Sequence, residues 1–144
     1  MIKRLHHTGF VVADLEKAEA FYREGVGLEV QARYERTGPG IEQVVGYEGA
    51  HLQIVLMGAG GDHSLELIQY RNPAPARRPT EERSVLGATH LCFQVDDIEK
   101  TFQALVSNGA KVLNPPEELA AGRVACYLQD PDGNWLELLQ IESL

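Results

Sequence analysis

His7-Thr-Gly-Phe-Val-Val-Ala-Asp14-Leu-Glu-Lys17 decides the fold, because the chain repeats it without a gap as His90-Leu-Cys-Phe-Gln-Val-Asp-Asp97-Ile-Glu-Lys100. The offset is 90 − 7 = 83 residues. A second echo follows in each copy: Leu65-Glu66-Leu67-Ile68-Gln69 and Leu136-Glu137-Leu138-Leu139-Gln140. Two structural copies related by a pseudo-twofold set two histidines and two carboxylates in equivalent positions. Nitrogen and oxygen donors meeting from two such halves can build a divalent metal site.

Outward from the first echo, residues 5–12 read as a strand. Asp14 reads as the N-cap of a helix, with Glu16 in the first turn where the macrodipole favours an acid. Leu15, Ala18, Phe21, Tyr22 and Val26 recur at helical spacing, and Gly25 and Gly27 end the run. Strands are expected over 28–35, over 43–47 together with 51–57, and over 63–70. The second copy repeats the plan. A strand covers 88–95, and Asp97 caps a helix bearing Ile98, Phe102, Leu105 and Val106 that stops at Gly109. Strands near 111–113, 123–129 and 135–141 complete it. Asp130-Pro131-Asp132-Gly133 joins the last two as a type I turn, with Pro second and Gly fourth.

Each half is therefore βαβββ. The expected architecture is α+β: two tandem modules forming a concave mixed sheet, with the helices outside. The 144 residues suit one compact domain. Module one covers about 1–72 and module two about 87–144. The stretch 73–86, rich in Pro and Arg, is a linker by composition; Arg71, Arg77, Arg78 and Arg83 could clamp an anionic substrate tail, but the solvated reading is preferred.

The formal charge of −8 argues against nucleic acid and anionic membranes as partners, since phosphate contacts need clustered cations. No apolar run approaches the roughly 18 residues of a membrane span. The two cysteines, Cys92 and Cys126, form no CxxC pair, and no signal peptide precedes them. A cytoplasmic protein with both thiols in its core is the expectation.

Strand alternation then places the polar residues. Phe10 and Val12 pack under the first helix, so His7, Gly9 and Val11 point the other way. Leu91, Phe93 and Val95 pack under the second, so His90, Cys92 and Gln94 point away. Leu65 and Leu67, with Leu136 and Leu138, are packing residues. Glu66, Ile68 and Tyr70, with Trp135, Glu137 and Leu139, face away from the helices. Taken singly, each His or Glu is an ordinary strand residue. The duplicated His and Glu on one kind of face points to a shared site, because an unpaired buried carboxylate is costly. Tyr127, Trp135, Tyr70 and Gln53 are the candidates for substrate contact. His6 reads as structural and His63 as a loop residue. Gly58-Ala-Gly60-Gly61 reads as a hairpin turn, since nothing around it fits a phosphate loop.

Across nearly its whole length the chain resembles the vicinal oxygen chelate superfamily, also called the glyoxalase/bleomycin-resistance/dioxygenase group. The likeness rests on the His-x-x-Phe-x-Val-x-Asp-Leu-Glu-Lys start and on Phe21-Tyr22…Gly27-Leu28. It rests also on Thr89-His90…Phe93-Gln94-Val95-Asp96-Asp97 and on Asp130-Pro131-Asp132-Gly133-Asn134…Glu137. In that family the metal ligands come from the first and last strands of each module. The resemblance thus implies His7, Glu66, His90 and Glu137 as ligands of one divalent ion. It is similar to the two-His, two-Glu set of glyoxalase I. Methylmalonyl-CoA epimerases have Gln in the place of Glu66.

Retention of all four implies a metal-dependent isomerase, lyase or epimerase. Such an enzyme moves a proton next to a carbonyl of a small metabolite through a metal-stabilised enolate, with Glu137 or Glu66 as the base. The mixed N/O set suits Ni, Co, Mn, Fe or Zn. A homodimer is expected, from the family's habit and from an apolar sheet face that needs cover. Two rivals stand beside this reading. One is an Fe(II) extradiol-type dioxygenase using His7, His90 and Glu137. The other is a non-catalytic protein that sequesters a small molecule such as an antibiotic.

Overall fold

The structure, a computed structural model, describes residues 1–142. The last two residues expected in module two, Ser143 and Leu144, lie outside the described residues. The chain forms two compact units, residues 1–23 with 27–77 and residues 24–26 with 78 onward. Among the described residues no helix is long and apolar enough to cross a membrane.

The first unit runs β1 (His7–Val11), α1 (Leu15–Val26), β2 (Glu29–Arg36), α2 (Pro39–Val45), β3 (His51–Gly58) and β4 (Ser64–Asn72). Its sheet has the order β1-β4-β3-β2. Only the β1–β4 pair is parallel, so the sheet is mixed. Asp14 caps α1, its Oδ1 accepting from Lys17 N–H at 3.1 Å, and Gly27 closes the helix at φ 74°. Gly25 lies inside the last turn and does not end it. Phe10, Phe21, Tyr22, Val55, Met57, Leu65 and Leu67 are buried between helix and sheet. The Phe10 and Tyr22 rings lie 6.5 Å apart across that layer.

One expected strand is a helix. Residues 43–45 belong to α2, which Gly38-Pro39 starts and Gly46 stops at φ 77°. Proline suits the first turn of a helix and glycine the left-handed residue after it. Ile41 and Val45 of this helix pack on Leu52, Ile54, Ile68 and Tyr70, the sheet face opposite α1.

The second unit runs β5 (Leu91–Gln94), α3 (Ile98–Ser107), β6 (Lys111–Val112), β7 (Glu117–Ala120), β8 (Arg123–Gln129) and β9 (Trp135–Ile141). Its strands form a second mixed sheet ordered β5-β9-β8-β6, with β7 on β8. β7 was not anticipated from the sequence. Asp97 caps α3 as Asp14 caps α1, accepting from Lys100 N–H at 3.0 Å. Ile98, Phe102 and Leu105 meet Leu128, Leu136 and Leu138 in the core.

The echoed glutamines have a structural task. Leu15 N–H donates to Gln69 Oε1 at 3.0 Å, and Ile98 N–H donates to Gln140 Oε1 at 2.8 Å. Each ties the open N-terminus of its helix to the last strand of the unit. In Leu-Glu-Leu-x-Gln the leucines therefore fill the core, the glutamine fixes the helix and the glutamate is left for the other face.

The turn between β8 and β9 is built on a buried carboxylate. Asp130, 1% exposed, accepts from Asp132 N–H at 3.0 Å and from Asn134 N–H at 2.8 Å through Oδ1, and from Asn134 Nδ2 at 2.8 Å through Oδ2. Asp130→Ala strips these donors of their acceptor. The expected loss is about 2–4 kcal/mol of stability, read as a lower urea midpoint. An unchanged midpoint contradicts this role.

Candidate metal centre

Each unit brings its own histidine and glutamate together. β1 and β4 run parallel with Gly9 beside Glu66, so His7 and Glu66 emerge on the sheet face opposite α1. His7 Nε2 lies 3.1 Å from Glu66 Oε2. A Cβ at Gly9 would meet that carboxylate at 3.4 Å, an ordinary contact. The other imidazole nitrogen, His7 Nδ1, is 2.8 Å from His6 Nδ1. This contact orients the ring so that Nε2 faces the glutamate, a role for His6 that the strand pattern alone did not show.

The second unit repeats the pair. His90 Nε2 lies 3.0 Å from Glu137 Oε2. Cys92 occupies the place of Gly9, beside Glu137 in the register. A third polar group joins this pair, because Tyr127 sits opposite Glu137 on β8. Its hydroxyl donates to Glu137 Oε2 at 3.2 Å and lies 3.3 Å from His90 Nε2. Burial first, then the Glu137 charge and hydrogen bond, raise the Tyr127 phenol above its ordinary pKa. The hydroxyl therefore keeps its proton and stays a donor at neutral pH.

Two ligands about 2.1 Å from one ion, at a right angle to it, lie about 3.0 Å apart. Both pairs have that spacing, and both offer one imidazole nitrogen and one carboxylate oxygen. The imidazoles are 40% and 45% exposed, and the carboxylates 17% and 16%, so an ion can reach them. Among the described residues no cluster of three or more His, Cys, Asp or Glu gathers at one point. Each unit presents one His–Glu pair.

The remaining candidates divide. Trp135 shares the face of Tyr127 and Glu137, since Gln129 pairs with Trp135 two residues along the same ladder. It lines a cavity of about 340 Å³ with Arg83, Ala88, Thr89, His90 and Tyr127. Tyr70 shares the face of Glu66 but packs under α2, its ring edge-on to Tyr47 at 6.2 Å. Gln53 is not brought to this face. It pairs with Gln69 and shares the α1 side with Val55 and Met57, where Arg71 Nε donates to its Oε1 at 2.9 Å. Both faces of β3 are apolar, so alternation could not tell which one the helix covers.

Arg83 takes the less favoured of its two expected places, at the cavity rather than in a solvated linker. The expected solvated linker is partly docked: Arg78 donates to the Gly133 carbonyl at 2.9 Å, Gln129 donates to Glu81, and the Arg83 guanidinium carbon lies 4.7 Å from the Trp135 ring centroid.

Cys92 is exposed, yet burial of its surroundings and the neighbouring Glu137 push its thiol up to about 11. Only the thiolate alkylates. In metal-free protein at pH 7.5, iodoacetamide is expected to label Cys92 on the order of a hundredfold more slowly than free cysteine. The rate should climb about tenfold per pH unit and level off only near pH 11. A plateau below pH 9 contradicts this.

Comparison with known proteins agrees with the fold. Residues 4–138 match the model of the Glyoxalase/Bleomycin resistance protein/Dioxygenase superfamily. The chain is 31% identical to an ethylmalonyl-CoA/methylmalonyl-CoA epimerase of Cereibacter sphaeroides, covering 100% of both chains. It is 28% identical to a 2-epi-5-epi-valiolone epimerase of an Actinomyces species, over 96% of this chain and 80% of that one. A glyoxalase family protein from Bacillus cereus superposes with a TM-score of 0.90 at 23% identity, covering 99% of this chain and 97% of the other. The chain belongs to the Glyoxalase/Bleomycin resistance protein/Dioxygenase superfamily.

Proposed function

We propose that this protein is a divalent-metal-dependent enzyme of the epimerase, isomerase or lyase type that moves a proton on carbon next to a carbonyl. The two similar epimerases support the reaction type. The observation that carries the reading is the recurrence of one His–Glu pair in each unit, at 3.1 Å in one and 3.0 Å in the other, a hydrogen-bonding distance that two ligands of one ion can also adopt. In the working protein His7, Glu66, His90 and Glu137 are proposed to hold one ion together. Ni, Co, Mn, Fe and Zn all suit this donor set.

When bound, the ion would polarise a substrate carbonyl as a Lewis acid. The two glutamates differ in what holds them. Glu137 accepts from Tyr127 and faces His90, with the Cys92 thiol also beside it. Glu66 has His7 as its hydrogen-bonding side chain. The less tethered carboxylate is the freer to turn toward the substrate and take a proton, so Glu66 is assigned the base in a lyase or isomerase; in a reaction of the methylmalonyl-CoA epimerase kind, where Gln stands in its place, the base falls to Glu137. Tyr127, protonated and in reach of both His90 and Glu137, is placed to donate a hydrogen bond to a substrate oxygen.

The test is to load purified protein with each metal in deuterated water. Carbon-bound deuterium is then sought in a panel of 2-methyl-branched acyl thioesters, hemithioacetals and cyclitol ketones. Metal-dependent deuterium entry next to the carbonyl is expected with one class. Oxygen consumption with catechols and no deuterium entry would replace this reading with the dioxygenase.

The protein is further proposed to work as a homodimer in a reducing compartment. Both thiols are free, and Val11, Val44 and Leu119 leave apolar side chains exposed. Sedimentation at micromolar concentration is expected to show twice the 15.9 kDa chain mass, and a monomer alone removes this part.

A further inference from the structure

The cavity beside His90 is walled on one side by Trp135, which is 6% exposed. The Trp135 ring lines the cavity, and the Arg83 guanidinium stacks on it. A guanidinium held over an indole face by a cation–π contact keeps N–H donors available to an anion. Among the described residues no carboxylate lies within ion-pair distance of Arg83, although its chain neighbours Glu81 and Glu82 are acids.

The segment that delivers Arg83 is fixed rather than loose. Arg78 donates to the Gly133 carbonyl, and the buried Gln129 donates to Glu81. Glu81 is thereby held by Gln129, on the floor of the β8–β9 turn, and is not spent on Arg83. The cation thus stands by design of the chain next to the His90–Glu137–Tyr127 group, within one cavity.

We infer that Arg83 and Trp135 form a carboxylate-binding subsite that grips an anionic end of a small substrate while its reacting carbon lies toward His90. This rests on the proposed function for the word substrate, but binding of the carboxylate itself does not need the metal. A planar guanidinium pairs with a planar carboxylate through two parallel hydrogen bonds. One cation balances one negative charge, whereas a phosphate dianion is left half-neutralised. The cavity of about 340 Å³ is at the small end of ligand pockets, which fits a compact acid. The substrate class is therefore a small carboxylic acid, or an acyl group carrying a free carboxylate.

Trp135 is the sole tryptophan of the chain, so its fluorescence reports this cavity alone. The experiment titrates chelator-treated, desalted protein with butyrate, with butyramide as the uncharged counterpart and inorganic phosphate as the competing anion. The chelator treatment removes metal beforehand, so coordination of the carboxylate to an ion is kept apart from binding at the subsite. A saturable change with butyrate is expected, with butyramide and phosphate each weaker by roughly tenfold or more. Arg83→Gln should weaken butyrate by a similar factor, and Arg83→Lys should restore part of it. Arg83 is exposed, so both variants are expected to fold, which an unchanged thermal midpoint verifies. Equal binding of acid and amide, equal binding by wild type and Arg83→Gln, or no saturable change would overturn the inference. Butyrate binding that persists in a protein shown to bind no metal would keep the subsite and discard the metal proposal.

Discussion

Glu66→Gln is expected to abolish lyase or isomerase proton transfer while the protein keeps its metal. The amide oxygen of Gln can still coordinate, but an amide cannot take a proton at neutral pH. Loss of a positioned general base costs about 10²- to 10⁴-fold in rate. The fall should appear in kcat with metal content unchanged. The same substitution at Glu137 should act differently. Glu137 receives the Tyr127 hydroxyl at 3.2 Å and faces His90 at 3.0 Å, so its replacement disturbs the ligand cage itself. Weaker metal binding is the expected main effect there. If Glu66→Gln retains near-wild-type turnover, the base is not Glu66. If Glu137→Gln alone removes turnover with metal retained, the two roles are reversed.

His90→Ala should remove the metal without unfolding the chain. His90 precedes β5 on the face opposite α3 and contributes nothing to the Leu128, Leu136 and Leu138 core. An imidazole nitrogen is replaced by nothing that can coordinate, so affinity is expected to fall by more than about a hundredfold. His7→Ala should do the same, because the reading gives both units equal shares in one ion. The measurement is metal affinity by competition with a chromophoric chelator, with far-ultraviolet circular dichroism as the folding control. Loss of metal in one variant and full retention in the other would show that a single unit holds the ion.

Much of this was legible because the sequence is written twice. Strand–cap–helix spacing is local, so Asp14 and Asp97 announce their helices, and Lys17 and Lys100 N–H groups meet them as expected. The bounds of β8 and β9 follow from a turn whose chemistry lies in four consecutive residues. What escaped depends on contacts between distant residues. Val44-Val45 looks like strand by β-branching, but Pro39 and Gly46 enclose a helix whose Ile41 and Val45 find cover on Leu52 and Ile54. Gln53 went to the wrong face because β3 is apolar on both. Arg83 meets Trp135 across 52 residues of chain (135 − 83), and no periodicity encodes that stacking. The pairing of each His with the Glu of its own unit is visible in the echo, since each copy carries one of each, at an offset of 83 for the histidines (90 − 7) and 71 for the glutamates (137 − 66). Tyr127 has no counterpart in the echoed segments, and its place beside Glu137 comes from the β8–β9 register.

X-ray absorption spectroscopy of the metal-loaded protein tests the central claim most directly. That claim is that the His7–Glu66 and His90–Glu137 pairs share one ion. The account predicts one ion per chain with two imidazole nitrogens and carboxylate oxygens at roughly 2.0–2.2 Å. One imidazole per ion, or two ions per chain, would contradict it.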